Sequence, residues 1–357
     1  MAPFHAAVLC YSLAVVLLSL QLGKVEALAH DAYLARLAPV YLLTLPMLGL
    51  VVLLVILIHR TNDWGTRKRA VIAALTPAAL GRIISGLLAT LSFVIFMGSF
   101  TTFKNLMPDI RGGFLQDRLQ ADFDRLIHFG HDPGPALVDL LNSPLLLRII
   151  EWNYSVLWAL LGFIPVFVIA TAKAADRVRT RYFMMVFTVW AVIGSLFACL
   201  FLSAGPAFYG GVTGDTARFS AILDFLGQGE PGSASAALFQ AYLWNNHQAG
   251  TSALGSGISA FPSVHVGVAT MNALFLREIN RTAGLLGFAY VGLVAFSSVY
   301  LGWHYAIDGY ASILVVILLH TLMRRMFHAH ETAAREPAIS HAAGQPAALT
   351  PSSPPTA

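Results

Sequence analysis

Long apolar runs dominate this chain and restrict what it can fold into. Eight such runs follow one another, and most are long enough to cross the hydrocarbon core of a bilayer, which takes about 20 apolar residues of helix. They cover residues 4–22, 34–58, 83–103, 154–172, 182–203, 262–276, 282–301 and 305–323. The runs predict an all-α fold, a polytopic bundle of about eight transmembrane helices.

The composition favours the same class of protein. Hydrophobic residues make up 57% of the 357 residues and charged residues only 11%, whereas roughly 25% charged residues is typical of a soluble domain. The basic residues lie beside apolar runs and form no broad patch, so no nucleic-acid partner is expected. Cys10 and Cys199 fall inside apolar runs and are expected to be small core residues rather than a disulfide.

The first apolar run has two interpretations. It is long enough to be a membrane helix, but the Ala27-Leu28-Ala29 triplet downstream has the A-x-A pattern of a signal-peptide cleavage site. No basic residue precedes the run, and Lys24 and Glu26 lie between the run and that triplet. Both features are unusual for a signal peptide, so we expect a retained helix.

The basic residues also predict an orientation, because cytoplasmic connections are enriched in Lys and Arg. They concentrate after the second, fourth, sixth and eighth runs: Arg60, Arg67, Lys68, Arg69, Arg82, Lys173, Arg177, Arg179, Arg181, Arg277, Arg281, Arg324 and Arg325. With eight spans, these four positions lie on one side of the membrane. We therefore expect both termini to be cytoplasmic and the start of run 262–276 to face the other side.

The chain divides into three expected parts. Residues 1–82 are two accessory spans and a basic cytoplasmic loop, and residues 83–326 form the core. Residues 327–357, rich in Ala, Pro and Ser, are expected to be a disordered cytoplasmic tail.

Two outer segments of the core are not spans. Segment 105–152 contains apolar residues at helical spacing between residues 110 and 129, with charges between them. This pattern fits an interfacial helix on the bilayer surface or an ordinary helix packed on the ends of the spans. Segment 204–261, rich in Gly, Ser and Ala, fits a partly ordered cap over the site or a floppy loop.

The first candidate site residues lie in the run AFPSVHVG. Pro262 suits the first turn of a helix, where its missing N–H would be unpaired in any case. The free N–H groups of that turn and the helix dipole form an anion site beside Ser263 and His265. His265 alone could equally be a core histidine.

A second histidine follows in the run YLGWHYAIDGYAS. His304 and Asp308 are four residues apart and share a helix face, so the carboxylate can hold the imidazole. Alone, this spacing is more often a structural pair. Two histidines, a carboxylate and a helix N-terminus together indicate phosphate chemistry, with Lys104 in FTTFKNLMP as the candidate cation, although Lys104 could instead snorkel to the interface.

These motifs resemble those of a known family. PSVH is similar to the PSGH-type motif, and HYAID to the H-x-x-x-D motif, of the type-2 phosphatidic acid phosphatase superfamily. FTTFKNLMP, GPAFYG and FPSVH together resemble most closely its inositolphosphotransferase branch, which includes inositol phosphorylceramide synthase. The resemblance covers about residues 85–326 and implies a six-helix catalytic core.

The resemblance also implies a mechanism without metal or cofactor. His304 would attack phosphorus and give a phosphohistidine, Asp308 would hold the ring, and His265 would protonate the leaving oxygen and later deprotonate the acceptor. Lys104, Ser263 and the N-terminus of the helix would stabilise the phosphate charge. The donor would be a lipid phosphate or a phospholipid, and the acceptor a polar lipid or water.

The chain departs from the broader superfamily at two motifs. Ser297 and Ser298 stand where the superfamily usually has Ser-Arg, so that arginine is missing. Lys104 and Arg111 keep the spacing of the K-x6-R-P motif, but Gly112 replaces the proline. Arg111 is therefore a weaker candidate for binding phosphate.

Other interpretations use the same residues. Tyr209 in GPAFYG could bond a head group or be an interfacial aromatic anchor. His265, His304 and Asp308 could ligate zinc, or form the proton relay of a transporter, although the duplicated halves common in transporters are not evident. The missing arginine also fits an inactive scaffold. We expect a membrane lipid phosphotransferase or phosphatase with its site on the non-cytoplasmic face.

Overall fold

A computed structural model describes residues 1–343 of the chain, except 62, 75, 230, 231 and 233. Every regular element in this part is helical, which confirms the all-α bundle. In chain order the α-helices are α1 (Ala2–Gln21), α2 (His30–Arg36), α3 (Leu45–Arg60), α4 (Trp64–Ala74), α5 (Pro77–Arg111), α6 (Asp117–Ile127), α7 (Pro133–Leu140), α8 (Pro144–Trp152), α9 (Trp158–Thr171), α10 (Arg179–Ala191), α11 (Ala198–Leu200), α12 (Tyr209–Thr213), α13 (Ser220–Gly227), α14 (Ala236–Ala249), α15 (Val264–Ile279), α16 (Arg281–Tyr300) and α17 (Ala306–Ala343).

Seven helical segments of the described chain are long and apolar enough to cross a bilayer, which supports an integral membrane protein. They are Ala2–Gln21, Val25–Arg60, Pro77–Arg111, Pro144–Thr171, Arg179–Leu200, Arg281–Tyr300 and Ala306–Ala329. The expected count was about eight. The difference is α15, which has only 16 residues and is about 24 Å long at 1.5 Å per residue.

The bundle has two ends, which contacts between helices identify. At the N-terminal end, the Met1 ammonium donates to Thr180 Oγ1 at 3.4 Å, at the start of α10. At the motif end, the Ala260 N–H donates to the Ser203 carbonyl at 2.8 Å. Helix α10 and the segment that continues it to residue 203 therefore run from the N-terminal end to the motif end.

Despite its length, α15 connects these two ends. It begins after Ser263 at the motif end, and Glu278 near its last turn accepts a hydrogen bond from Arg181 Nη1 at 2.8 Å, at the N-terminal end. His320, well inside α17, lies 3.0 Å from the same carboxylate. Helices α15 and α17 therefore run side by side in the same direction, and both begin at the motif end.

The segment 204–261 contains three helices, α12 to α14, and covers the loop that precedes α17. Gln240 Nε2 donates to the Leu301 carbonyl at 2.9 Å, and the Phe239 ring packs edge-on against Trp303 at 6.0 Å. The described residues of this segment form an ordered cap rather than a floppy loop.

Helix α17 extends into the segment expected to be a disordered tail. Its backbone is helical to Ala343, because residues 327–336 include several alanines, glutamates and an arginine, which favour helix. The rest of the expected tail, residues 344–357, lies outside the described part of the chain.

Candidate active site

His304 and Asp308 are held together where α17 begins. His304 Nδ1 lies 3.1 Å from Asp308 Oδ2, and both side chains are buried. The same oxygen accepts the N–H of Tyr305 at 3.1 Å, so Asp308, the third residue of α17, caps the helix as the acid of a capping box does. The carboxylate favours the tautomer with its proton on Nδ1, which leaves Nε2 with a free lone pair.

His265 faces His304 from the start of α15. The two ring centroids are 6.4 Å apart and the planes are inclined at 62°. Ser263 is the N-cap of α15, and its hydroxyl accepts from the Val266 N–H at 3.4 Å. The Ser263 N–H donates to the Asp308 carbonyl at 3.2 Å, which ties the starts of α15 and α17 together.

Aromatic packing holds the imidazole of His265 in place. Tyr154 stacks on it with centroids 4.5 Å apart and planes at 20°, and the Trp158 ring lies 4.0 Å away. Trp158 Nε1 also donates to the His265 carbonyl at 3.0 Å. Within the described residues the imidazole nitrogens of His265 have no hydrogen-bond partner, so they are available to transfer a proton.

Lys104 is a positive charge that acts on both histidines. Its stem packs against Gly257, where a Cβ would come within 3.0 Å of Lys104 Cγ. Its charge acts on both imidazoles, and the ammonium forms no hydrogen bond or ion pair with any described residue. A charge that is partly removed from water and has no partner costs free energy. An anion that binds next to the ammonium would offset this cost.

The charge state of His304 is compatible with nucleophilic attack. Burial and the nearby Lys104 charge lower the pKa of His304 to about 3. The imidazole is therefore neutral at pH 7, and one of its ring nitrogens carries a lone pair. A hydrogen bond between the ring and the backbone of Ala260 acts in the opposite direction and raises the pKa. A protonated imidazole would have no lone pair with which to attack phosphorus.

Two buried oxygen atoms beside this group have no partner among the described residues. They are the hydroxyl of Tyr154 and Oδ1 of Asp308, which interact with each other electrostatically. Buried polar atoms are normally hydrogen-bonded. Here the Tyr154 hydroxyl could still donate a hydrogen bond, and Oδ1 of Asp308 could still accept one.

A carboxylate from α6 fixes the start of α17. The N–H groups of Ala306 and Ile307 donate to Asp124 at 3.1 and 3.0 Å. These are the first two N–H groups of the helix, which have no partner inside it. Asp124 therefore positions the turn that carries Asp308 and, through it, His304.

A second carboxylate of α6 joins the same loop to segment 204–261. Asp117 accepts the N–H groups of Ala204 and Gly205 at 2.7 and 2.9 Å. It also accepts from the Tyr305 hydroxyl at 2.8 Å. Burial raises the pKa of both Asp117 and Asp124, while their N–H donors act in the opposite direction.

The two remaining candidates have other contacts. Arg111 lies on α5 seven residues after Lys104, about 10 Å along the helix, and donates to the Leu200 carbonyl at 3.4 Å. The buried Tyr209 hydroxyl accepts from Arg218 at 3.4 Å. The structure thus brings together Lys104, Ser263, His265, His304 and Asp308, and engages Arg111 and Tyr209 elsewhere.

The positions of the missing arginine motif are structural in this chain. The Ser297 hydroxyl accepts from Asn153 Nδ2 at 3.0 Å, and the Ser298 carbonyl accepts the N–H groups of Trp303 and His304 at 2.9 and 3.2 Å. Both serines are buried. Ser298 therefore helps to shape the loop that presents His304.

The zinc interpretation finds no support in the donor set. The described part of the chain contains no group of three or more His, Cys, Asp or Glu side chains arranged to hold a metal ion.

Sequence reasoning missed Tyr154, Trp158, Asp117 and Asp124. Tyr154 and Trp158 are four residues apart on one face of the fourth apolar run, and Asp117 and Asp124 are seven apart on one face of α6. Those spacings were a signal that each pair acts together. Nothing in the sequence indicated which surface each pair would meet.

Replacing Tyr154 tests the role of the stacked ring. We expect Tyr154→Ala to lower turnover of a lipid phosphate roughly 10²-fold, since a misplaced proton-transfer group costs about that much. Tyr154→Phe keeps the ring and should retain most activity. Steady-state assays of both variants in detergent check this, and an equal loss in the two would contradict the stacking role.

Replacing Asp124 tests the positioning of α17. Asp124→Asn has one acceptor oxygen instead of two and no charge, so we expect kcat to fall roughly 10²-fold with little change in KM. Asp139→Asn, at an exposed carboxylate of α7, is the control and should change kcat less than about twofold. A rise in KM at unchanged kcat would argue against positioning.

Comparison with known proteins agrees with the motifs and the geometry. A family model described as the PAP2 superfamily matches residues 120–322, more than half of the chain. The matched region includes His265, His304 and Asp308 and begins after Lys104. No match was found among the curated proteins or the solved structures. By the extent of the family match, this chain belongs to the PAP2 superfamily, the superfamily of type-2 phosphatidic acid phosphatases.

Proposed function

We propose that this protein moves a phosphoryl or phospho-head group from a membrane lipid to an acceptor through a phosphohistidine on His304. Superfamily membership supports a phosphatase or phosphotransferase of lipid phosphates in general. The finer proposal rests on two imidazoles whose ring centroids are 6.4 Å apart and on Lys104, which acts on both electrostatically and pairs with no described residue.

In the first half-reaction, the phosphate of the donor binds between Lys104 and the N-terminus of α15. The ammonium and the free N–H groups after Ser263 neutralise oxygen charge that would otherwise repel a nucleophile. Nε2 of His304 then forms a bond to phosphorus as the bond from phosphorus to the leaving oxygen breaks. His265 takes up a proton as the anionic phosphate binds and gives it to that oxygen, and Asp308 stabilises the positive charge of the phosphorylated ring.

In the second half-reaction, His265 is neutral and accepts a proton from the acceptor hydroxyl. The acceptor oxygen attacks phosphorus, and the bond to His304 Nε2 breaks. The lone pair returns to the imidazole, and the enzyme is regenerated with its proton on His265. The same residues thus act in both directions, as acid–base catalysis through a covalent intermediate requires.

The transferase proposal, in the manner of inositolphosphotransferases, is favoured by two motifs of that branch. The charge of Lys104, in FTTFKNLMP, acts on both histidines. Gly205 of GPAFYG has φ of +93°, and a Cβ there would come within 2.6 Å of the Trp303 carbonyl oxygen. The first motif therefore acts electrostatically on the ring of His304, and the second contacts the loop that precedes it. Hydrolysis, with water as the acceptor, is the alternative that product analysis distinguishes.

The nucleophile is tested with a phosphorus-labelled phospholipid and rapid acid or alkali quenching. Wild type should form an alkali-stable, acid-labile phosphoenzyme, and His304→Ala should form none and lose activity by about 10³-fold or more. His131→Ala, an exposed histidine outside the site, is the control. Label recovered in a lipid acceptor indicates transfer. Label in a water-soluble head-group phosphate, or in inorganic phosphate when the donor is a phosphate monoester, indicates hydrolysis. Full turnover by His304→Ala would disprove the assignment.

We also propose that the site faces the non-cytoplasmic side and that both termini are cytoplasmic. Three observations support this orientation: Met1 lies at the N-terminal end, Arg82 and Arg179 pair with Asp176 near that end, and the histidines lie at the motif end. Positively charged connections favour the cytoplasm.

The orientation is tested with single cysteines in a chain whose Cys10 and Cys199 are replaced by alanine. In intact cells, a membrane-impermeant maleimide should label Ala217→Cys, in segment 204–261, but label Arg177→Cys only after permeabilisation. The reverse pattern would place the site in the cytoplasm.

A further inference from the structure

Helix α6 turns its polar side towards the protein. Four side chains face inward and are buried: Asp117, Gln120, Ala121 and Asp124. The two carboxylates hold α17 and segment 204–261, and Gln120 Nε2 donates to the Phe201 carbonyl at 2.9 Å. Most of the hydrogen-bonding groups on this face of α6 therefore bond to other parts of the protein.

The opposite side of α6 is apolar and faces outward. Its large side chains and those at its two ends have high exposed fractions: Leu115 60%, Leu119 65%, Phe123 51%, Leu126 72%, Ile127 40% and Phe129 94%. They recur at intervals of three and four residues and form one face. A helix in water would have the reverse arrangement, so this face requires an apolar surrounding.

Contacts with α17 fix the level at which α6 lies. Asp124 binds the first N–H groups of α17, and Ala306 is also the first residue of a candidate span. Helix α6 therefore lies at the level where this candidate span begins. A spanning helix begins near the boundary between head groups and acyl chains.

The apolar face of α6 continues onto the outer surface of α17. Nε2 of His128, directly after α6, lies 3.1 Å from the Tyr310 hydroxyl oxygen. Tyr310, Leu314 and Leu318 follow at intervals of four residues and are 48%, 69% and 57% exposed. These residues belong to a candidate span, so their exposed side faces lipid. The two surfaces adjoin at Tyr310.

A charged strip borders the apolar face of α6. Arg118, Asp122 and Arg125 are exposed and lie between the apolar and the buried sides of the helix. They also contact the protein: Arg118 donates to the Thr213 carbonyl, Asp122 accepts from Arg218, and Arg125 donates to the Gly130 carbonyl. A charged flank beside an apolar face is typical of an interfacial helix.

We propose that α6 is embedded in the bilayer leaflet at the motif end, with its apolar face among the acyl chains. The carboxylates that hold the start of α17 then belong to a helix whose other side contacts lipid. Bilayer contact and the position of His304 are thereby linked through one short helix. The proposal concerns the surface of the protein and does not depend on the phosphohistidine chemistry.

The test measures the depth of spin labels on the full chain in vesicles of phosphatidylcholine and phosphatidylglycerol. Single cysteines are introduced at Leu119, Leu126 and, as the control, Ala217, in a chain whose native cysteines are replaced by alanine. These side chains are exposed, so labelling should leave the fold intact. Power saturation with oxygen, which partitions into lipid, and with a water-soluble nickel chelate gives the accessibility of each label.

We expect the oxygen-to-nickel accessibility ratio at positions 119 and 126 to exceed that at 217 by at least about threefold, because acyl chains dissolve oxygen and exclude the chelate. Labels on α6 that are as accessible to nickel as the label at 217 would overturn the proposal, since the face would then lie in water. Protection from both reagents would also overturn it, because protein such as a second copy of the chain would then cover α6.

Discussion

The hydrogen bonds at the first turn of α17 are the constraint on which the rest of the site depends. A helix begins with N–H groups that have no partner inside the helix and with the positive end of its dipole. Here Asp308 takes the N–H of Tyr305, and Asp124 takes those of Ala306 and Ile307. These N–H groups stabilise the two buried carboxylates. The position of the Asp308 carboxylate in turn fixes where the imidazole of His304 lies.

The same principle explains how distant parts of the chain meet at one point. Helices α15 and α17 both start at the motif end, and the Ser263 N–H bonded to the Asp308 carbonyl joins them. Lys104 on α5 brings a cation that no described side chain neutralises. Two helix starts and this ammonium suit a phosphate group, which we propose binds there beside the two histidines.

Local sequence patterns predicted the centre of this site but not its surroundings. His304 with Asp308, and His265 behind Ser263, follow from spacing and capping rules that act within a single helix. Tyr154, Trp158, Asp117 and Asp124 act across helices, and which surfaces meet is decided by tertiary packing. Arg111 keeps the spacing of the superfamily motif, but it lies about 10 Å beyond Lys104 along the same helix. Motif spacing alone therefore did not predict whether Arg111 belongs to the site. The apolar pattern of α6 indicated an amphipathic helix. The sequence did not decide whether its apolar side contacts the bilayer or the rest of the protein, because that depends on where its polar side points.

A structure of the protein with bound orthovanadate, which mimics pentavalent phosphorus, tests the central claim most directly. We expect the vanadium atom to be bonded to Nε2 of His304, with an equatorial oxygen close to the Lys104 ammonium and the apical oxygen opposite His304 within hydrogen-bonding distance of His265. Vanadate bound away from His304, or bonded to it while His265 points into a separate space, would contradict the account.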